Sequence, residues 1–228
     1  MSEYGNVLKR VKEYRNDSRW SQDQISEKMG MTQDRYSDIE NGHTKISYQD
    51  MLRFDGLGLS VNRLVSGKEY GDCDLSDEDI PALEWIKHHD GKETFLKMTA
   101  ELMLYFLKEK SDNIKEPETV QLLELTVKFW DEFSMVRIVR ERLNYSQDQM
   151  ATELGIAIRT LRKLERENSF PDAELLHQLY QMSHYEPVLF TEVPDRKFMI
   201  VQKAWKLLSK EEHKKMTEFS QHMQECVR

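Results

Sequence analysis

Beginning at Ser21, apolar side chains recur at helical spacing: Ile25 and Met29, then Tyr36 and Ile39 beyond a glycine at position 30. The succession returns at Ser146, with Met150 and Leu154, then Gly155, then Leu161 and Leu164. Each serine stands just ahead of its periodic stretch, where a hydroxyl accepts a bond from an orphan backbone N–H and starts a helix. Ser26 and Ala151 put small side chains on the inner face four residues before Gly30 and Gly155, and a glycine there ends the helix in the left-handed conformation. A second helix is predicted from Thr32 to Asn41 and from Ala157 to Arg166. Between these segments, a turn-like stretch from Ser66 to Asp74 precedes a helix start at Ser76, with Asp77, Glu78 and Asp79 favoured by the helix dipole. Phe95, Met98, Leu102, Tyr105 and Phe106 form the next apolar stripe, and a further helix from about Pro117 carries Val120, Leu123, Leu125, Val127 and Trp130 toward the second segment. The chain ends in two predicted helices. The first carries Phe198, Val201, Trp205 and Leu208; the second opens on the capping-box pattern Ser209 to Glu212 and aligns Met216, Phe219 and Met223.

The two glycine-centred segments are copies of one another. Ser21-Gln22-Asp23-Gln24 recurs as Ser146-Gln147-Asp148-Gln149, an offset of 125 that also matches Gly30 with Gly155, Glu40 with Glu165 and Arg15 with Arg140. Positions 21–42 share six identities in 22 with their counterparts, where unrelated chains would share about one or two on composition alone. Apolar residues keep register too: Ile25 with Met150, Met29 with Leu154, Met31 with Ile156, Tyr36 with Leu161, Ile39 with Leu164. Tyr36, Trp20 and Tyr145 fall at phases that suit core or edge packing. Two helices joined by a glycine turn make the helix-turn-helix outline.

Composition agrees with helix. Of 228 residues 39% are hydrophobic and 10% aromatic, enough for packed cores, while 9 Gly and 5 Pro argue against turn-dense β architecture. The longest stretch without Asp, Glu, Lys or Arg, Leu175 to Tyr185, is too short to cross a bilayer, and the N-terminus lacks a secretory pattern, so a cytoplasmic protein without membrane contact is expected. Cys73 and Cys226 have no second thiol near them and are read as reduced. The net charge of −8 is unevenly spread: +1 over residues 1–68, −9 over 69–125, −3 over 126–192 and +3 over 193–228. His43, His88, His89, His177, His184, His213 and His222 form no zinc-binding pair with a matching acid, and no phosphate loop or nucleophile elbow occurs. No cofactor, metal or enzymatic activity is expected.

The head, from Trp20 to Ser47 with Leu57 to Gly67, resembles the phage repressor and Cro (XRE) family of helix-turn-helix domains through its Ser-Gln start, small-x-x-x-Gly turn, Glu-Asn-Gly ending and apolar closing segment. Residues 130–190 resemble a more divergent member, with Glu165-Arg166-Glu167 in place of Glu-Asn-Gly and Pro171 where such domains often carry proline; the head has Ile46 there. The resemblance implies an all-α fold of two lambda-repressor-like bundles separated by a helical spacer, with a helical tail. The expected domains are residues 1–68, an acidic spacer 69–127, a second helix-turn-helix domain 128–192 and a tail 193–228. It also implies a partly buried ion pair between Arg15 and Glu40, and between Arg140 and Glu165, 25 positions apart in both copies.

Double-stranded DNA is the implied partner, with the third helix of each module in the major groove. Gln22 and Gln147 stand where the family often bonds a phosphate, and Lys45 is a further phosphate candidate. In the first copy Gln33, Asp34, Arg35, Asp38 and Asn41 are the candidate contacts: Gln bridges adenine, Arg forks onto guanine, Asp accepts from cytosine N4. In the second copy Arg159, Thr160, Arg162, Lys163 and Arg166 suit phosphate attraction better. The implied function is a sequence-specific transcriptional regulator, a repressor by default, because blocking polymerase needs no further surface. Two modules in one chain could read two half-sites; otherwise the first reads DNA and the second dimerises with the tail, a homodimer also being open to the spacer or C-terminal helices. A different class stays open as well. Asp34 and Asp38 favour a protein-interaction adaptor, antitoxin-like or regulator-sequestering, whose helix-turn-helix surfaces meet protein.

Overall fold

The structure of the protein, a computed structural model, describes residues 4–70, 83, 85, 86, 91–109, 116–192 and 195–226. The regular secondary structure among these residues is all helical, with no strand. The head forms α1 (Gly5–Asp17), α2 (Gln22–Lys28), α3 (Gln33–Glu40), α4 (Tyr48–Gly56) and α5 (Val61–Ser66). Then come α6 (Lys92–Glu109), α7 (Pro117–Lys128) and a 3-10 turn at Trp130–Glu132. The second copy comprises α8 (Met135–Arg142), α9 (Gln147–Glu153), α10 (Ile158–Glu165), α11 (Ala173–Ser183) and a 3-10 turn at Pro187–Phe190, and α12 (Arg196–Trp205) and α13 (Lys210–Cys226) end the chain. The predicted start at Ser76 with Asp77, Glu78 and Asp79, the pair His88 and His89, and Cys73 lie outside the described residues.

Local chemistry sets the helix ends. The Ser21 hydroxyl accepts from the Gln24 N–H at 3.1 Å while the Gln24 side chain accepts from the Ser21 N–H at 2.9 Å, and Ser146 and Gln149 repeat this at 3.2 and 2.8 Å. Gly30 and Gly155 adopt φ of +64° and +62°, conformations that a side chain would strain. The third helices differ at their starts. Thr32 caps α3 by accepting from the Arg35 N–H at 3.3 Å, whereas Ala157, in the same extended conformation, leaves α10 without a side-chain cap. Ala157→Ser is therefore expected to stabilise the protein by about 0.5–1 kcal/mol, read as a higher urea midpoint at unchanged slope. A midpoint at or below the parent's contradicts this account of the cap.

The chain falls into two compact units, one combining Met1–Tyr70 with Ser134–Val193 and the other Gly71–Phe133 with Pro194–Arg228. In the first unit the register pairs of the repeat form twin cores: Ile25 and Met150, Met29 and Leu154, Tyr36 and Leu161, Ile39 and Leu164 are all buried. Met31 and Ile156 are both half-buried. Val7 and Val11 of α1, and Ile138 and Val139 of α8, close these cores from the N-terminal side. Trp20 is half-buried, edge-on to Tyr14 with the Lys28 ammonium over its ring.

In the second unit α7 packs on α6 and α12, and α13 on α6. The stripe expected on α6 is out of phase. Leu96, Thr99, Ala100, Met103 and Leu107 face inward, while Met98 and Tyr105 are 40% and 58% exposed and Phe95, Leu102 and Phe106 are half-buried. Leu102 to Leu107 is apolar on every face of the helix, so several phases satisfy the pattern. The buried one includes Thr99 and Ala100, to which a hydrophobic pattern gives little weight. Similarly α7 buries Val120, Leu122, Leu123 and Thr126 against its neighbours α6 and α12, leaving Leu125 and Val127 half-buried. Phe198, Val201, Trp205 and Leu208 are buried, as are Met216 and Met223. Glu212 and Ser209 form the reciprocal cap of α13 at 2.6 and 3.4 Å. Among the described residues no helix is long and apolar enough to cross a membrane, and no group of three His, Cys, Asp or Glu could hold a metal ion.

Candidate nucleic-acid interface

A buried cluster orients the third helix of each module. Arg15 Nε donates to Glu40 Oε1 at 2.9 Å and its Nη1 to the Trp20 carbonyl at 3.0 Å, while Gln22 Nε2 donates to Glu40 Oε2 at 2.5 Å. The second copy repeats each bond: Arg140 to Glu165 at 2.5 Å and to the Tyr145 carbonyl at 3.0 Å, Gln147 to Glu165 at 2.7 Å. Both glutamate side chains are 2% exposed. Because each glutamate ends its helix, the cluster ties the end of α3 to α1 and the start of α2, and the end of α10 to α8 and the start of α9. Gln22 and Gln147 thus contribute one amide N–H to the cluster and keep a second donor for another acceptor. In the second copy Arg162 Nε also donates to Gln147 Oε1 at 3.1 Å, which settles that amide's orientation.

The outward faces of α3 and α10 are built to one plan with opposite charge. Arg159, Arg162, Lys163 and Arg166 are exposed at the i, i+3, i+4 and i+7 positions of one stripe, with Thr160 exposed beside them. The offset of 125 puts Asp34, Ser37, Asp38 and Asn41 at those positions in the first copy. The second copy thus carries four cations where the first carries two carboxylates. The Asn41 amide donates to the Ser37 carbonyl and hydroxyl at 2.9 and 3.2 Å, and Asp38 lies 3.5 Å from His43. Gln33 is exposed at the start of α3, where the second copy has Ile158.

Arg35 leans away from this stripe. Its Nη2 donates to both carboxylate oxygens of Asp50 at 3.1 and 2.9 Å, and the side chain stays 48% exposed. Asp50 is fully buried and also accepts from Arg53 Nη1 at 3.1 Å and from the Ser47 hydroxyl at 2.6 Å. It therefore braces α3 against α4, a role foreshadowed only by the capping-box spacing of Ser47 and Asp50. Lys45 is matched within the protein: its ammonium lies 2.6 Å from Glu174, whose carboxylate raises the lysine pKa above its usual value.

Lys45 and Glu174 belong to a junction between the two modules. The Ala173 N–H donates to the Ile46 carbonyl at 3.0 Å, and the Phe170 ring stacks on Tyr48 at 4.8 Å. The Tyr48 hydroxyl accepts from the Glu192 N–H at 2.9 Å, Asn62 Oδ1 accepts from the Val188 N–H at 2.9 Å, and the buried His177 donates from Nδ1 to the Val65 carbonyl at 3.1 Å. In the repeat's numbering the contact is nearly reciprocal. Lys45 corresponds to Phe170 and Tyr48 to Ala173, so the loop after each third helix reaches the start of the other module's fourth helix. The 3-10 turn Pro187–Phe190 stands where α5 stands in the first copy, and these two equivalent elements pack on each other.

Residues 11–54 and 136–179 each match the family described as helix-turn-helix, their bounds offset by the same 125 residues as the repeat. No curated protein and no solved structure matches the chain.

Proposed function

We propose that this chain, whose residues 11–54 and 136–179 each match the helix-turn-helix family, binds double-stranded DNA sequence-specifically and represses transcription by occupying the promoter. The observation that carries the reading is the cationic stripe Arg159, Arg162, Lys163 and Arg166, exposed on the helix that the Arg140, Glu165 and Gln147 cluster holds in place. Such a stripe supplies phosphate attraction and fork donors for guanine. In the first module Gln33 is assigned to adenine and Asp34 and Asp38 to cytosine N4, which requires α3 to lie well inside the groove, away from phosphate. Repression by occlusion asks nothing of any other surface.

A salt series with random duplex DNA tests the reading. If the four cations of the stripe each contact a phosphate, log affinity should fall against log salt with a slope of about −3.6. A flat response would move the assignment to the second reading, a protein-binding adaptor, which the acidic outward face of α3 favours.

A further inference from the structure

We infer that one copy of this chain occupies one operator made of two unlike half-sites about one helical turn apart, with α10 facing guanine-bearing steps and α3 facing adenine and cytosine edges. The inference rests on the DNA-binding reading above and adds the symmetry and stoichiometry of the target.

Three observations carry it. The first is the junction. A pair of single modules reads two half-sites because an isologous contact sets their separation, each surface meeting its own copy. Here the two copies make a nearly reciprocal contact within one chain, through Lys45 with Glu174, Phe170 with Tyr48, and α5 against the Pro187–Phe190 turn. A second chain is not needed to bring two third helices together. The second is where the junction lies. The loops that meet there, residues 41–47 and 166–172, are those that leave α3 and α10, so each third helix runs directly into the junction.

The third observation is that the two helices cannot want the same bases. Arg159, Arg162, Lys163 and Arg166 present donors only; Asp34 and Asp38, at the positions of Arg159 and Lys163, present acceptors. An arginine forks onto guanine O6 and N7, where a carboxylate finds no donor, while a carboxylate accepts from cytosine N4, where an arginine finds no acceptor. A G·C pair carries both sets of groups, guanine's on one strand and cytosine's on the other, so the two helices read it in opposite strand senses and two symmetric half-sites would leave one helix mismatched. The charges divide the work as well. An acidic helix gains little from phosphate attraction, so α3 depends on α10 to bring it to the duplex, and the junction turns that second contact into an intramolecular one.

The experiment is selection of duplexes from a random pool by the full chain, followed by footprinting, stoichiometry and a spacing variant on the enriched duplex. The expected outcome is a non-palindromic consensus with two protected patches about 10 bp apart, centre to centre, at one chain per duplex. Inserting 5 bp between the patches, which alters the DNA and leaves the protein untouched, should weaken binding by about 100-fold or more. A palindromic consensus bound by two chains, or one short patch indifferent to the insertion, overturns the inference and leaves the DNA-binding reading standing. No enriched duplex at any salt concentration overturns both.

Discussion

Glu40→Ala is expected to lower the stability of the first unit by about 3–5 kcal/mol, because it leaves an arginine and a glutamine amide without their shared acceptor in a poorly hydrated place, and Glu165→Ala to lower it by less, because Arg140 keeps Glu141 at 3.0 Å. The Arg15 and Arg140 side chains are only 15% and 13% exposed, so neither guanidinium turns freely to water once its carboxylate is gone. Gln22→Ala and Gln147→Ala, which remove a donor and keep both charges, should cost about 1 kcal/mol. Urea unfolding of the full chain reads all four. Since both modules belong to one compact unit, each glutamate variant should move the same transition. Variants that unfold with the parent would mean that the pairs contribute nothing. Two transitions, each answering to one glutamate alone, would mean that the junction does not couple the modules.

What was legible in the sequence is what lies within a few residues along the chain or recurs at a fixed offset. Ser21 with Gln24, Ser146 with Gln149, and the glycines at 30 and 155 announce their helices because a cap or a left-handed turn is decided by three or four neighbouring side chains. An arginine and a glutamate 25 residues apart stand out in both copies, yet nothing in the pattern says that Gln22 and Gln147 complete the cluster. The junction is harder to see. Its bonds join residues 112, 126 and 144 positions apart, through His177 and Val65, Asn62 and Val188, Tyr48 and Glu192. Their polar atoms carry no periodicity that marks them as partners. A repeat reveals two copies without revealing that the copies fold on one another. Lys45 illustrates the cost: read locally it is a free cation beside a recognition helix, and only the fold sets Glu174 against it. On α6 the difficulty is the reverse, a stretch from Leu102 to Leu107 that is apolar all round and whose buried phase depends on neighbours that the pattern does not name.

Replacing Arg159, Arg162 and Lys163 together by alanine should reduce affinity for random duplex DNA, where these side chains meet phosphates rather than guanines in register, by about 500-fold at 0.1 M salt and make the salt slope there shallower by about 2.7, the loss of three phosphate contacts. All three side chains are exposed. Losing the Arg162 bond to Gln147 leaves that amide still held by Glu165, so urea unfolding should show the fold unchanged. Gln33→Ala is expected to behave differently. It should cost about 1–3 kcal/mol on the preferred duplex and almost nothing on random DNA, because a base-edge contact is lost while the phosphate grip stays. The pair separates grip from selectivity. Phosphate attraction depends on charge and distance and is indifferent to sequence, whereas a glutamine on adenine matters only where adenine is present. A triple variant with unchanged affinity and slope would place DNA on some other surface. Equal loss on every duplex for Gln33→Ala would make that residue a phosphate contact and remove α3 from sequence reading, leaving its two aspartates without a partner on DNA.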